Sequence, residues 1–228
     1  LEHHSTLVPW QEACRAQGAS LEFMPFDSLK SEIDLDALAP LMTGVKMVVV
    51  SAMTNATGYM LPLEGVITLA RRAGALVTVD AAQFAAHHRV DVQSLDCDFL
   101  YFSAHKMLGP TGVGVLYGKL PVLESMSPFM YGGDMIDRVW DSHATWAPVP
   151  EKFEPGTPNI AGVLGFSAAI DYLESIGMDA IGTHEAELLA YALEKAAGSS
   201  GMTVYGPRDR SRQGGILSFN IDGIHSHD

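Results

Sequence analysis

Cysteine, positive charge and long apolar runs are what this sequence has little of. Its two cysteines, Cys14 and Cys97, cannot build a disulfide framework or a metal cluster by themselves, and such usage fits a reducing, cytoplasmic setting. Lys and Arg total 14 against 27 Asp and Glu, a net charge of -13. An acidic chain repels phosphate backbones and anionic headgroups, which argues against nucleic acid and anionic membrane as partners. No apolar run approaches the roughly 20 residues of a membrane span, and no signal-peptide pattern opens the chain. Metal-ligand spacing is missing too. His3, His4, His87, His88 and His105 form no His-x-x-x-His pattern, no Cys-x-x-Cys accompanies them, and adjacent histidines point in different directions. The chain starts at Leu1 without Met and stops at His225-Ser226-His227-Asp228 with no closing helix, so the expectation is an internal fragment of a longer protein.

What is present is a repeating α/β pattern. Hydrophobic residues make up 47% of the chain, enough for a substantial core. Leu21–Phe26, Val45–Val50, Leu76–Val79, Phe99–Ser103 and Val113–Tyr117 read as strands. Pro9 opens a short helix that stops at Gly18, Asp34 caps another through Leu38, and Pro62 opens a third. In that third helix Leu63, Val66, Ile67 and Ala70 share one face, and Gly74 ends it. Strands alternating with helices predict a mainly parallel sheet covered on both faces. Between Ser127 and Asn159 the periodicity fails, over five prolines, two tryptophans and Gly132-Gly133. Loops this long are functional or interfacial. Helices return from Ile160 and from Ala180 to Ala197, and Met202–Tyr205 with Gly215–Ile221 reads as a new, smaller unit. The expected division is 1–198 for part of a large domain and 199–228 for the start of a small one.

The chemistry-bearing residues gather at strand ends. Lys106 follows the apolar run Phe99-Leu100-Tyr101-Phe102, and open α/β sheets bind ligands beyond the carboxyl ends of their strands. A lysine there suits Schiff-base chemistry if it is desolvated; the alternative is a surface lysine. Ser103 and His105 flank it and are positioned to donate to a phosphate. Asp80 ends the strand Leu76-Val77-Thr78-Val79. It suits either the protonated nitrogen of a pyridine ring or the N-cap of Ala81-Ala82-Gln83. Gln83 lies within reach of a phenolic oxygen on the same ring, or is an ordinary helix residue. His3 and His4 suit ring stacking or acid–base work, or are surface residues. Asn55, in the loop after a buried strand, suits a substrate carboxylate, though asparagine is common in loops.

As an ordered set these segments resemble the class V, fold-type I pyridoxal-phosphate enzymes, and most closely the group II, SufS-type cysteine desulfurases, also described as selenocysteine lyases. The resemblance rests on Glu2-His3-His4 with Val8-Pro9-Trp10, Val79-Asp80-Ala81-Ala82-Gln83, Leu95-Asp96-Cys97-Asp98-Phe99, Phe102-Ser103-Ala104-His105-Lys106, Gly109-Pro110-Thr111-Gly112, Phe153 to Asn159 and Val204-Tyr205-Gly206-Pro207. It implies that Lys106 carries pyridoxal 5′-phosphate as an imine and later moves the substrate Cα proton. Asp80 would pair with the ring nitrogen, Gln83 with the ring hydroxyl, and His3 would stack on the ring. Ser103 and His105 would bind the phosphate, and Asn55 the substrate carboxylate. Thr157 would reach the phosphate of the neighbouring subunit, which implies a homodimer. Tyr131-Gly132-Gly133-Asp134 resembles the group II form of the dimer-facing loop.

The implied reaction takes L-cysteine, with L-selenocysteine as a further substrate, to L-alanine and an enzyme-bound persulfide. A sulfur-acceptor protein for iron–sulfur cluster assembly would follow. The family's upstream Gly-Thr-Thr phosphate segment would precede Leu1, and its nucleophilic cysteine and carboxylate-binding arginine would follow Asp228. The expectation is therefore a chain with most of the cofactor site, weakened cofactor affinity and no turnover alone. Cys97, beside a buried strand, reads as structural. Other class V chemistry (an aminotransferase, an epimerase or a kynureninase-like hydrolase) and a non-catalytic folded module are the alternatives. The desulfurase is preferred because the resemblance extends to segments remote from the cofactor.

Overall fold

The computed structural model describes residues 1–27, 31–207 and 209–227; Asp228, part of the ending noted above, lies outside them. The elements run α1 (His4–Gln17), β1 (Phe26–Asp27), β2 (Glu32–Ile33), α2 (Leu35–Leu38), β3 (Met47–Ser51), α3 (Leu63–Arg72), β4 (Leu76–Asp80), α4 (Val92–Leu95), β5 (Phe99–Ser103) and β6 (Gly114–Gly118). Then come α5 (Leu120–Ser125), β7 (Ile136–Val139), β8 (Ala144–Trp146), α6 (Ile160–Ile176), α7 (Met178–Ala197), β9 (Met202–Tyr205) and β10 (Ser218–Ile221).

The central sheet has the order β3-β4-β5-β6. β3, β4 and β5 are parallel, and β6 returns antiparallel along β5. The period of two along the strands decides what packs. Val48 and Val50, Val77 and Val79, and Leu100 cluster with Val66, Ile67 and Ala70 of α3. Val50, Val66, Val77 and Val79 have no exposed surface, and burying each such side chain contributes about 1.5–3 kcal/mol. α3 ends where expected, with Gly74 at φ +71° admitting the left-handed turn into β4. The Ser127–Asn159 stretch contains the hairpin β7–β8 and a fully buried Met135. Lys152, itself buried, donates from Nζ to the carbonyls of Leu123 and Glu124, placing a cation at the negative end of α5. Among the described residues no single helix is long and apolar enough to cross a membrane.

Two expectations change. The first helix begins at His4 instead of Pro9, because the His3 ring accepts the Ser5 N–H and caps it; Pro9 then sits inside the helix and forfeits one backbone bond. The strand expected over Leu21–Phe26 is reduced to Phe26–Asp27, paired only with Glu32–Ile33. Leu21–Pro25 has no ladder partner among the described residues, and strand propensity without a partner does not make a strand.

The N-terminal edge of the sheet is closed by ions. Asp98, 3% exposed, accepts from Arg71 Nη1 at 2.9 Å and from the Val77 N–H at 2.7 Å. Lys119 Nζ lies 3.7 Å from its other oxygen, and Asp96 pairs with both cations. The Asp98 hydrogen bond is the main reason the Arg71 guanidinium is held above its usual range. One carboxylate thus ties α3, β4, β5 and β6 together. Asp98→Ala is expected to destabilise the fold by about 2–4 kcal/mol, since it orphans a buried N–H and a partly buried guanidinium. Urea unfolding of the variant against the unsubstituted protein measures it.

Candidate active site

Ser51 and Asp80 end β3 and β4, and Tyr101, the middle residue of β5, is level with them in register. In-register residues project to the same face, so the three side chains form a row across the sheet. The first turn of α1 lies over that row. Glu2 accepts from the Ser51 N–H at 3.0 Å and from Ser51 Oγ at 2.5 Å. Thr6 Oγ1 donates to Asp80 Oδ2 at 2.7 Å and contacts the Tyr101 hydroxyl at 2.8 Å. His3 is held between these two attachments.

Asp80 is 6% exposed. Its Oδ1 accepts from the Ala82 N–H at 2.9 Å, so it does cap the turn that follows. Its protein partners are neutral donors, and among the described residues no Lys, Arg or His forms an ion pair with it. Tyr101 is pushed well above the ordinary phenol range by burial, with the negative charge of Asp80 adding to the effect against the Thr6 contact.

Lys106 lies on a single 3-10 turn, Ala104–Lys106, at the end of β5. The turn is pinned by Met107 N–H and Gly109 N–H, both donating to the Ala104 carbonyl at 2.8 and 2.9 Å. Gly109 is required there, since a Cβ would lie 2.9 Å from the Ala104 oxygen and from the Phe166 ring. The Lys106 amine is half-buried and has no hydrogen-bond or ion-pair partner among the described residues. Asn55 rides on a loop fastened from the other end of the chain. Gly214 N–H donates to Gly58 O, Met60 N–H to Arg212 O, and the buried Gln213 side chain to Thr57 O.

His3, Asn55, Asp80, Gln83 and Lys106 line one cleft. Ser103, His105 and Thr157 are not among its lining residues; Ser103 is half-buried, and His105 and Thr157 are exposed. Ser51 and Met53 line the cleft as well, and neither they nor Thr6 and Tyr101 were singled out from sequence. No local signal singles them out: Ser51 and Asp80 end their strands, but Tyr101 is level with them only through the pairing of β4 with β5. Cys97 is fully buried, and burial pushes its thiol up. The Cys14 thiol, half-buried, donates to the Ser20 carbonyl; neither cysteine lines the cleft. Among the described residues no group of His, Cys, Asp and Glu is arranged to hold a metal ion.

The donor set fits a flat heteroaromatic aldehyde. Asp80 is a buried carboxylate short of a counter-charge, which a protonated ring nitrogen supplies. Lys106 is an amine free to bond a carbonyl carbon. The loop after Asp80 is anchored from below. His87 Nδ1 meets Glu185 Oε1 of α7 at 2.5 Å, and His88 packs on Phe84 with ring centres 4.7 Å apart.

The aminotransferase class-V family profile matches residues 1–228. A probable cysteine desulfurase of Halalkalibacterium halodurans is 46% identical over the whole chain, which spans 55% of that protein. The cysteine desulfurase of Salmonella agona is 44% identical, and the chain spans 56% of it. The chain therefore spans about half the length of these relatives. Among solved structures, an apo cysteine desulfurase from Thermococcus onnurineus superposes with a TM-score of 0.94 at 38% identity. An S-sulfonic acid form of an Escherichia coli cysteine desulfurase gives 0.93 at 38% identity. Each matches the whole chain and is covered over 56% of its own length.

Burial, then the neighbouring His87, holds the His88 imidazole below 6.5 against the pull of Glu185. The folded state therefore binds fewer protons there than the unfolded state. The contribution of His88 to stability is complete above pH 6.5 and is lost as pH falls through its lower folded value. Unfolding free energies at pH 7.5 and 5.5 should fall further for the unsubstituted protein than for His88→Gln.

Proposed function

The chain belongs to the aminotransferase class-V family, and from that membership we propose that the protein carrying it is a pyridoxal 5′-phosphate-dependent cysteine desulfurase, converting L-cysteine to L-alanine and an enzyme-bound persulfide. The observation that carries this reading is the cleft itself. A lysine amine and a buried carboxylate that have no ion-pair partner among the described residues face one space, on a fold that superposes on a cysteine desulfurase at a TM-score of 0.94.

The bound cofactor supplies an electron sink that makes the Cα–H of an attached amino acid acidic. The residues then divide the work. Lys106 holds the cofactor covalently, and its released amine takes and returns the Cα proton. Asp80 keeps the ring nitrogen protonated, Gln83 binds the ring oxygen, and His3, held between the Glu2 and Thr6 attachments, covers the ring face. Asn55 orients the substrate carboxylate. Ser103, which ends β5, and His105, on the same turn as Lys106, would bind the phosphate. Thr157 serves the phosphate of a neighbouring subunit, so the working unit is a homodimer.

We assign residues 1–198 to the cofactor-binding domain and 199–228 to the beginning of a smaller one. β9 and β10 form their own two-stranded sheet, which supports that division. The thiolate that receives the sulfur is neither the buried Cys97 nor Cys14, since both lie off the cleft. It belongs to a further part of the protein. The finer reading is a cytoplasmic sulfur donor to an acceptor protein in iron–sulfur cluster assembly, with L-selenocysteine as a second substrate.

The test uses the full-length protein. Pyridoxal phosphate is added, the mixture is reduced with borohydride and peptides are mapped. Label on Lys106, lost in Lys106→Ala, is expected, with alanine and persulfide formed from L-cysteine by the unsubstituted protein alone. Turnover should fall by at least about 10²–10⁴-fold in Lys106→Ala. Label elsewhere would overturn the cofactor assignment. Label on Lys106 without desulfuration would assign the protein to another class V reaction.

A further inference from the structure

Thr6 is the one buried residue of α1, at 3% exposure. Its apolar neighbours are less buried than it is: Leu1 and Val8 are exposed, and Leu7 and Trp10 are half-buried. The start of the helix is held on the sheet by polar contacts, and the Thr6 hydroxyl makes two of them. A hydroxyl carries one proton. Since Thr6 donates it to Asp80 Oδ2, the proton in the 2.8 Å contact with Tyr101 belongs to the phenol. Burial and the charge of Asp80 keep that phenol protonated. The sheet fixes the partners: Asp80 and Tyr101 are paired across β4 and β5, and Ala81 N–H donates to Tyr101 O at 2.9 Å.

We propose that Thr6 and Tyr101 are positioning residues for the cofactor-facing carboxylate: the phenol donates to Thr6, Thr6 donates to Asp80 Oδ2, and this relay holds Asp80 turned into the cleft. The inference deepens the cofactor assignment above and rests on it. Together with Ala82 N–H on Oδ1, the relay gives each oxygen one protein donor. A carboxylate oxygen accepts more than one hydrogen bond, so a free acceptor site remains for a ring N–H. Tyr101 lies near enough to Asp80 to feel its charge, and through its 2.8 Å contact with Thr6 it aligns and polarises the hydroxyl that donates to Asp80.

The ordering makes the proposal testable by a double-mutant cycle. In the full-length protein, pyridoxal phosphate affinity and the visible spectrum of the bound cofactor are measured for Thr6→Val, Thr6→Ser, Tyr101→Phe and Thr6→Val/Tyr101→Phe. Thr6→Val, which keeps the shape and removes the hydroxyl, should weaken binding about tenfold, the scale of one hydrogen bond to a charged group, and move the visible band. Thr6→Ser should restore both. Tyr101→Phe should weaken binding by a smaller factor in the unsubstituted background and by clearly less in the Thr6→Val background. A helix tether with no role at the ring would lower thermal stability and leave the band in place, which overturns the proposal. Additive effects of the two substitutions overturn it as well. Should Thr6→Val not fold, Tyr101→Phe decides alone: an unmoved band and unchanged affinity refute the relay. Absence of cofactor binding by the unsubstituted protein would instead refute the cofactor assignment itself.

Discussion

A carboxylate taken out of water is the constraint around which this structure is arranged. Asp80 ends the most enclosed strand of the sheet, and its burial costs several kcal/mol unless hydrogen bonds replace the lost hydration. Ala82 N–H and Thr6 Oγ1 provide them. The second of these comes from a helix far away in the chain, so satisfying Asp80 also fixes where α1 begins. Glu2 repeats the device one strand over, on Ser51. With both attachments made, His3 has little freedom to leave the mouth of the cleft. Local chemistry at one strand end thus organises the whole site.

The opposite end of the sheet makes the contrast. Asp98 is as buried as Asp80 but is surrounded by Arg71, Lys119 and a backbone N–H. Its charge is neutralised by residues of the protein itself, and it does structural work. Among the described residues Asp80 has only neutral donors, and it faces a space lined by a lysine amine with no partner among them. The two carboxylates are separated in sequence by a loop and the short helix α4, yet the presence or absence of cations divides their roles. This is why the site reads as chemical and the ion cluster as mechanical, although both are buried aspartates at the ends of strands.

Much of the architecture was legible because apolar periodicity and punctuation agree. Val48, Val50, Val77, Val79 and Leu100 alternate as core strands must, the α3 face recurs at helical spacing, and Gly18 and Gly74 take the left-handed turns at φ +64° and +71°. The failures came where one local signal outweighed another, or where a strand signal found little to pair with. Pro9 looked like a helix start, but the His3 cap placed the start five residues earlier. Leu21–Phe26 had strand composition, but among the described residues only Phe26 found a ladder partner. The cleft residues Lys106, Asp80, Gln83, Asn55 and His3 were legible as residue types at strand ends.

By itself, then, the sequence determined the alternating α/β order, the strands that carry Lys106 and Asp80, and the absence of metal-ligand spacing, all of which depend on near-neighbour sterics and periodicity. Tertiary structure decided the rest. Thr6 is an unremarked helix residue until strand register sets Tyr101 beside Asp80 and the fold lays α1 across both. The Asn55 loop gains its anchor only when Gln213 docks from the far end of the chain. Such contacts join residues 74, 95 or 156 positions apart. No local pattern encodes them, because hydrogen-bond partners at that separation are chosen by how the sheet and helices pack.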